Sequence, residues 1–264
     1  MVRSPEDRSR GARTPVQTHV PAGRFGPYAP LRVPGTKSRR ADGLAAHRSP
    51  LDGLTAHFPV TRRVAGDESF DAMARRFIAI ERSRPAPRFP NWEAFPSFLR
   101  SQGKAASIEY VADIAELEMA RGKAKCAANA PPIGAHAFPS LRAQRLRGLR
   151  LVLHPSIFLV ASRFPIVTIW ETYQREHENG RVGRWNAECA LVARPLLEVE
   201  VRRLPPGGHA FISALSQGRT IAAAIDAATA ADPKFDMAIN RALLIEANVV
   251  IGIREQAHTA QLNV

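Results

Sequence analysis

Histidines, cysteines and carboxylates are the residues through which this chain could do chemistry, and their spacing argues against most of it. No two of the eight histidines lie three or four residues apart, so no helix turn offers a pair to one metal ion. Cys126 and Cys189 stand alone, which leaves neither a disulfide framework nor a cysteine-based zinc site. Gly103-Lys104 lacks the upstream glycine and following hydroxyl of a phosphate loop, and Gly207-Gly208 precedes His209 without a dinucleotide fingerprint. Ser156 and Ser213 lack a nucleophile-elbow context, while Glu116 and Glu118 read as ordinary helix surface. The expectation is a protein that binds rather than catalyses, with no cofactor or metal of its own.

Binding residues are easier to place. Glu198 to Leu204 alternates as one arm of a hairpin, with Val199, Val201 and Arg203 on one side and Glu198, Glu200 and Arg202 on the other. An extended peptide added to that edge would use main-chain hydrogen bonds for affinity and side-chain pockets for specificity. Val199, Val201, Arg202 and Arg203 are therefore candidate peptide-binding residues, with Ile239 and Leu243 of a later helix closing an apolar groove. Val201→Asp is expected to abolish recruitment and leave the N-terminal helices folded. The competing reading is DNA binding, in which Arg219, Lys234, Asn240 and Arg241 line a recognition helix and its preceding turn. Asp232, Asp236 and Glu246 share that segment and thin its basic face.

The elements that must carry these residues follow from periodicity. The net charge of +13 is uneven: residues 1–50 hold nine Arg and Lys37 against Glu6, Asp7 and Asp42. Residues 1–42, with six prolines and no apolar period, are expected to be a disordered basic tail. Phe70, Met73, Phe77 and Ile78 predict a helix from Asp67, Phe95 to Leu99 a short one, and Tyr110, Ile114, Leu117 and Arg121 a third over about 107–125. Residues 43–130 are thus expected to form an all-α N-terminal domain and 131–148, rich in proline at its start, a linker.

Residues 149–256 change character. Leu149, Leu151 and Leu153 predict a strand, Pro165 opens a helix, Ala190 to Arg194 pairs with Glu198 to Leu204, and three helices follow over 208–216, 220–228 and 233–248. Strands followed by three helices have the order of a winged helix, so the fold class expected is α+β: an all-α N-terminal domain and a winged-helix-like domain with a small antiparallel sheet. The expected helical core is Phe211, Leu215, Ile221, Ile225, Phe235, Ile239 and Leu243. The apolar stretch 157–170 is broken by Arg163 and Pro165, and no signal peptide precedes it, which predicts a cytoplasmic protein without a membrane partner.

Several segments carry a resemblance. HFPVTRRVAGDESF at 57–70, RFIAIERSRP at 76–85, YVADIAELE at 110–118, LRLVLHPSIFLVASRFPIVTIW at 149–170 and CALVARPLLEVEV at 189–201 together resemble a bacterial DNA-binding-domain family that includes the HvfC/BufC-type peptide-modification chaperones. The resemblance covers residues 43–253. It implies a partner of multinuclear non-haem iron oxygenases that binds a precursor peptide leader and presents its cysteines, the iron belonging to the oxygenase. One departure stands at His47-Arg48-Ser49-Pro50, where the family has a tyrosine-arginine-asparagine-asparagine motif within a full helix. Pro50 is poorly placed inside a helix, so the expectation is either a damaged first helix or a reading frame that is not native upstream.

Overall fold

The computed structural model describes residues 49–83, 91–103, 109–134, 148–174 and 182–254, all within one compact unit. The tail expected at 1–42 and most of the linker expected at 131–148 lie outside them. The class is α+β, with nine α-helices and two small antiparallel sheets among the described residues.

Helices α1 (Pro50–His57) and α2 (Pro59–Ala65) each open on a proline, whose fixed φ and missing N–H suit a first turn. Ser49 caps α1, its Oγ accepting from Asp52 N at 3.2 Å. Pro50 is the first residue of α1, and His47 and Arg48 of the departing segment lie outside the described residues. Helix α3 (Asp67–Arg82) buries Phe70, Ala74, Phe77 and Ile78 along one stripe. After a 3-10 turn at Trp92–Ala94 comes α4 (Phe95–Ser101), whose Phe95 ring lies 4.9–5.8 Å from those of Phe58, Phe70 and Phe77. Helix α5 (Val111–Cys126) starts later than its periodicity predicts and is buried along most of its length.

Strands β1 (Arg150–Leu153) and β2 (Phe158–Ser162) precede α6 (Ile166–Gln174), then β3 (Glu188–Ala193) and β4 (Glu200–Arg203). Helices α7 (Gly208–Ser216), α8 (Ile221–Ala231) and α9 (Met237–Glu246) lead to β5 (Val250–Arg254). The expected hairpin forms, with Val192 opposite Val201 and Leu191 opposite Arg202, and β2 joins it to give the order β2-β3-β4. Strand β5 escapes the sequence reading; it pairs antiparallel with β1 in a separate two-stranded sheet.

The three-stranded sheet is a wall between two cores. Val160, Ala190 and Val192 pack on one side with α1–α6, while Leu191 and Ala193 pack on the other with α7, α8 and β1. Strand alternation produces this division directly, since neighbouring residues of one strand must face opposite ways. The first core therefore draws on residues from both sides of the 131–148 segment.

Helix α9 departs from its expected facing. Asp236 caps it, its Oδ1 accepting from Ala238 N at 2.7 Å and Ile239 N at 3.1 Å, so the helix starts at Met237, four residues after the predicted Pro233. Asn240 and Leu244 turn inward, Leu243 is half-buried, and Ile239 is 55% exposed, outside the core assigned to it.

Candidate functional site

The site begins with the outer edge of β4. Leu204 N donates to Cys189 O at 2.8 Å, which fixes the alternation of the hairpin ladder. Arg202 and Glu200, two and four residues earlier, point their backbone groups toward β3 as well. Val201 and Arg203 consequently aim N–H and C=O away from the sheet, and among the described residues no backbone partner meets them. Val199 continues the row at the strand's entry.

The side chains divide between the two faces. Val199 and Val201 are half-buried against the first core. Arg203 lies on the same side, with Nε 3.0 Å from Glu188 Oε1 and Nη2 donating to Thr168 Oγ1 at 2.9 Å, yet half its side chain stays in solvent. Glu188 is itself held by α6: its Oε2 accepts from Val167 N and Thr168 N at 2.9 and 3.0 Å, capping that helix. On the opposite face Arg202 pairs with Glu200 at 2.7 Å. The edge thus carries three charges in four residues, which resists indiscriminate strand pairing.

The structure separates residues that the sequence reading grouped. Val199 and Val201 belong to the first core and Leu243 to the second, with the sheet between them, while Ile239 faces solvent. The apolar groove expected between Val201 and the last helix is not formed. Val201→Asp would consequently place a charge against the core of the N-terminal helices, and sparing those helices is no longer the expected outcome.

Among the DNA candidates, Arg219, Lys234 and Arg241 are exposed, but Asn240 is buried. Its Nδ2 donates to Asp236 O at 2.8 Å, and a side chain at Gly208 would collide with its Oδ1. Asn240 is an internal spacer between α9 and the start of α7, withdrawn from any base edge.

Buried polar groups tie the helices to one another and to the end of β3, and the sequence reading missed them. Glu118, assigned to helix surface, is 2% exposed. Its Oε1 accepts from Val60 N at 2.9 Å, and its Oε2 from Thr61 N at 2.9 Å and Thr61 Oγ1 at 2.8 Å. A carboxylate from α5 therefore caps α2, which has no cap of its own. Burial pushes the Glu118 carboxyl above the usual range, against the pull of these donors and of Arg121. Arg121 in turn lies 4.8 Å over the Trp170 ring, joining α5 to α6.

A second network explains the LHPS segment. His154 Nδ1 accepts from Ser156 N at 3.1 Å, and its Nε2 meets both backbone groups of Ala130, the N–H donating to it at 3.3 Å and the carbonyl oxygen lying 3.1 Å away. Ser156 Oγ lies 2.7 Å from Nδ1 and accepts from Arg194 N at 2.8 Å. The Arg194 guanidinium, buried at the end of β3, donates to Ala124 O and Ala127 O at 2.9 and 2.6 Å. Burial lowers the His154 pKa, with Arg194 adding to the effect and the Ala130 contact opposing it. Helix α5, the 127–130 segment and β3 are locked together by this chain of bonds.

Both cysteines are free thiols, Cys126 exposed and Cys189 half-buried with its pKa raised by burial. Among the described residues no group of three or more His, Cys, Asp or Glu could hold a metal, and no helix is long and apolar enough to cross a membrane. No family model and no curated protein matches the chain.

Proposed function

We propose that this protein is a non-catalytic partner that binds an extended precursor peptide along β4 and presents it to a multinuclear non-haem iron oxygenase. The observation that carries the reading is the open β4 edge, where Val201 and Arg203 offer backbone donors and acceptors on a sheet braced from both sides. Main-chain pairing to such an edge binds an extended ligand with little sequence demand, and the flanking charges of Glu200, Arg202 and Arg203 select among ligands. We read the C-terminal part as winged-helix-like, with β3–β4 as the wing preceding α7, α8 and α9, and the working compartment as the cytoplasm. The oxygenase and the peptide class come from the resemblance described above; the edge supplies the means of holding the peptide.

Proline scanning tests the edge. Val201→Pro deletes an N–H that points outward and spares the ladder to β3, whereas Arg202→Pro deletes a ladder bond. Wild-type bait in host cells is expected to capture a small ribosomal peptide and an iron oxygenase identified by mass spectrometry. Val201→Pro should capture at least about tenfold less peptide, from lost main-chain pairing and obstructed approach. In hydrogen exchange the captured peptide should slow the Val201 and Arg203 amides, leaving Leu204 as protected as before. An unchanged Val201 amide in the peptide complex would exclude β4 as the binding edge.

A further inference from the structure

Residues 127–134 run from the end of α5 to the start of β5 with few bonds of their own. Pro131 and Pro132 have no N–H, and the N–H groups of Ala130 and Ile133 go to His154 Nε2 at 3.3 Å and Val250 O at 2.9 Å. Arg194 Nη2 holds the other end, donating to Ala127 O at 2.6 Å. The segment is a strap fastened through Ala127 to β3, through Ala130 to the turn after β1, and through Ile133 to β5.

The middle fastening is titratable. His154 is 2% exposed and each of its ring nitrogens faces a backbone N–H, Nδ1 that of Ser156 at 3.1 Å and Nε2 that of Ala130. A neutral ring keeps one bare nitrogen for such a donor, and its single proton has Ser156 Oγ at 2.7 Å or Ala130 O at 3.1 Å to go to. The cation has no bare nitrogen, so both backbone N–H groups are left facing N–H, and Ser156 is too deeply buried for water to relieve it. The charge beside the ring has the same sign, for Arg194 on β3 faces it. Residues 127–134, 155–157 and 248–250 contain no charged side chain, and Lys125 at the end of α5 is exposed. Arg150 and Arg254 sit at the far end of the β1–β5 pair, Glu188 at the far end of β3 is held by α6, and α7, packed on β1, brings only His209, which burial also holds toward its neutral form. A second cation at His154 therefore meets no carboxylate from these elements.

We propose that residues 127–134 are an acid-released strap: neutral His154 fastens them, and a proton on its ring lets Ala127 to Ile133 lift from β3, β1 and β5 while both cores stay folded. In the lifted state the ring titrates in water near the ordinary value of about 6.5, so each pH unit below it favours the open strap by up to about tenfold, until the lower pKa of the fastened ring is reached. Fastening is complete above the ordinary value and is lost as pH falls. Lifting uncovers the Arg194 guanidinium and withdraws Ile133 from the second core, so the loosening is felt on both sides of β3.

Hydrogen exchange of the full chain, followed amide by amide from about pH 8 to about pH 5 and corrected for the intrinsic rate, separates the strap from the fold. Ala130 and Ile133 should lose protection by up to about tenfold per pH unit below about 6.5, while Phe77 in α3 and Val192 in β3 remain protected at the acid end. His154→Gln has no ring to protonate, so its Ile133 protection, whatever its level, should not change across the range. A wild-type Ile133 equally protected at both ends, a His154→Gln profile that falls as the wild type does, or a Phe77 amide exchanging as fast as Ile133 at the acid end overturns the inference.

Discussion

Glu118→Ala removes the single group that accepts from Val60 N, Thr61 N and Thr61 Oγ1, and both donor residues are buried. A buried donor left without a partner costs about 1–3 kcal/mol. Three such donors would total more, but loss of the carboxyl's own desolvation and entry of a water molecule offset part of it, leaving ~3 kcal/mol. For a domain of this size ~2–4 °C of melting temperature is lost per kcal/mol, so the midpoint should fall by about 6–12 °C. Glu118→Gln keeps one acceptor oxygen in place and should lose about half as much. Thermal and urea denaturation of the two variants, with Thr61→Val completing a double-mutant cycle, measures the coupling. The pH dependence adds a separate check. The folded-state pKa is raised, so the folded form binds the proton more readily and this contribution is complete below the ordinary carboxylate range. It is lost as pH rises through the folded-state pKa, and the wild type should lose stability relative to Glu118→Gln over that interval. An alanine variant melting within about 2 °C of wild type would refute the capping role, since even one orphaned donor costs more.

The remaining predictions concern single groups. His154 has a lowered pKa, so its contribution is present above the ordinary imidazole value and is lost as pH falls through the folded-state value; His154→Gln should flatten that part of the stability curve. Gly207 sits at φ +70°, and an added Cβ would lie 2.9 Å from Phe235 Cβ and 3.1 Å from Ala228 O; Gly207→Ala should cost about 2–3 kcal/mol in urea unfolding. Ser49→Ala removes the α1 cap and should cost ~1 kcal/mol by the same assay.

Much of the backbone was legible from residue patterns. The stripe of Phe70, Phe77 and Ile78 marked α3, Pro165 marked the start of α6, and the alternation of residues 198–204 placed Val201 and Arg202 on opposite faces of β4. What escaped were features set by tertiary partners. Strand β5 has only five residues, and its pairing depends on β1, a hundred residues earlier. Glu118 looks like any exposed helix carboxylate until α2 presents two bare N–H groups to it. In α9 the apolar residues Ile239 and Leu243 suggested the inward face, but the Asp236 cap and the room left by Gly208 turn Asn240 inward instead. The candidate site was half visible: the strand and its charges could be read, whereas the outward direction of the Val201 backbone needed the Leu204–Cys189 bond to set the parity.

Because β3 is buried on both sides, with Val192 in one core and Leu191 in the other, the first core is shared between the two halves of the chain while the buried residues of the second all come from position 149 onward. Severing the gene between residues 134 and 148 would strip Val160, Ile166 and Trp170 from the helices they cover and yield two sticky fragments. Co-expression of the pieces should restore a soluble product, and melting should occur in a single step. The unit of inheritance is the whole sandwich, and a graft of the β4 hairpin onto another scaffold would need to bring α5 and α6 with it.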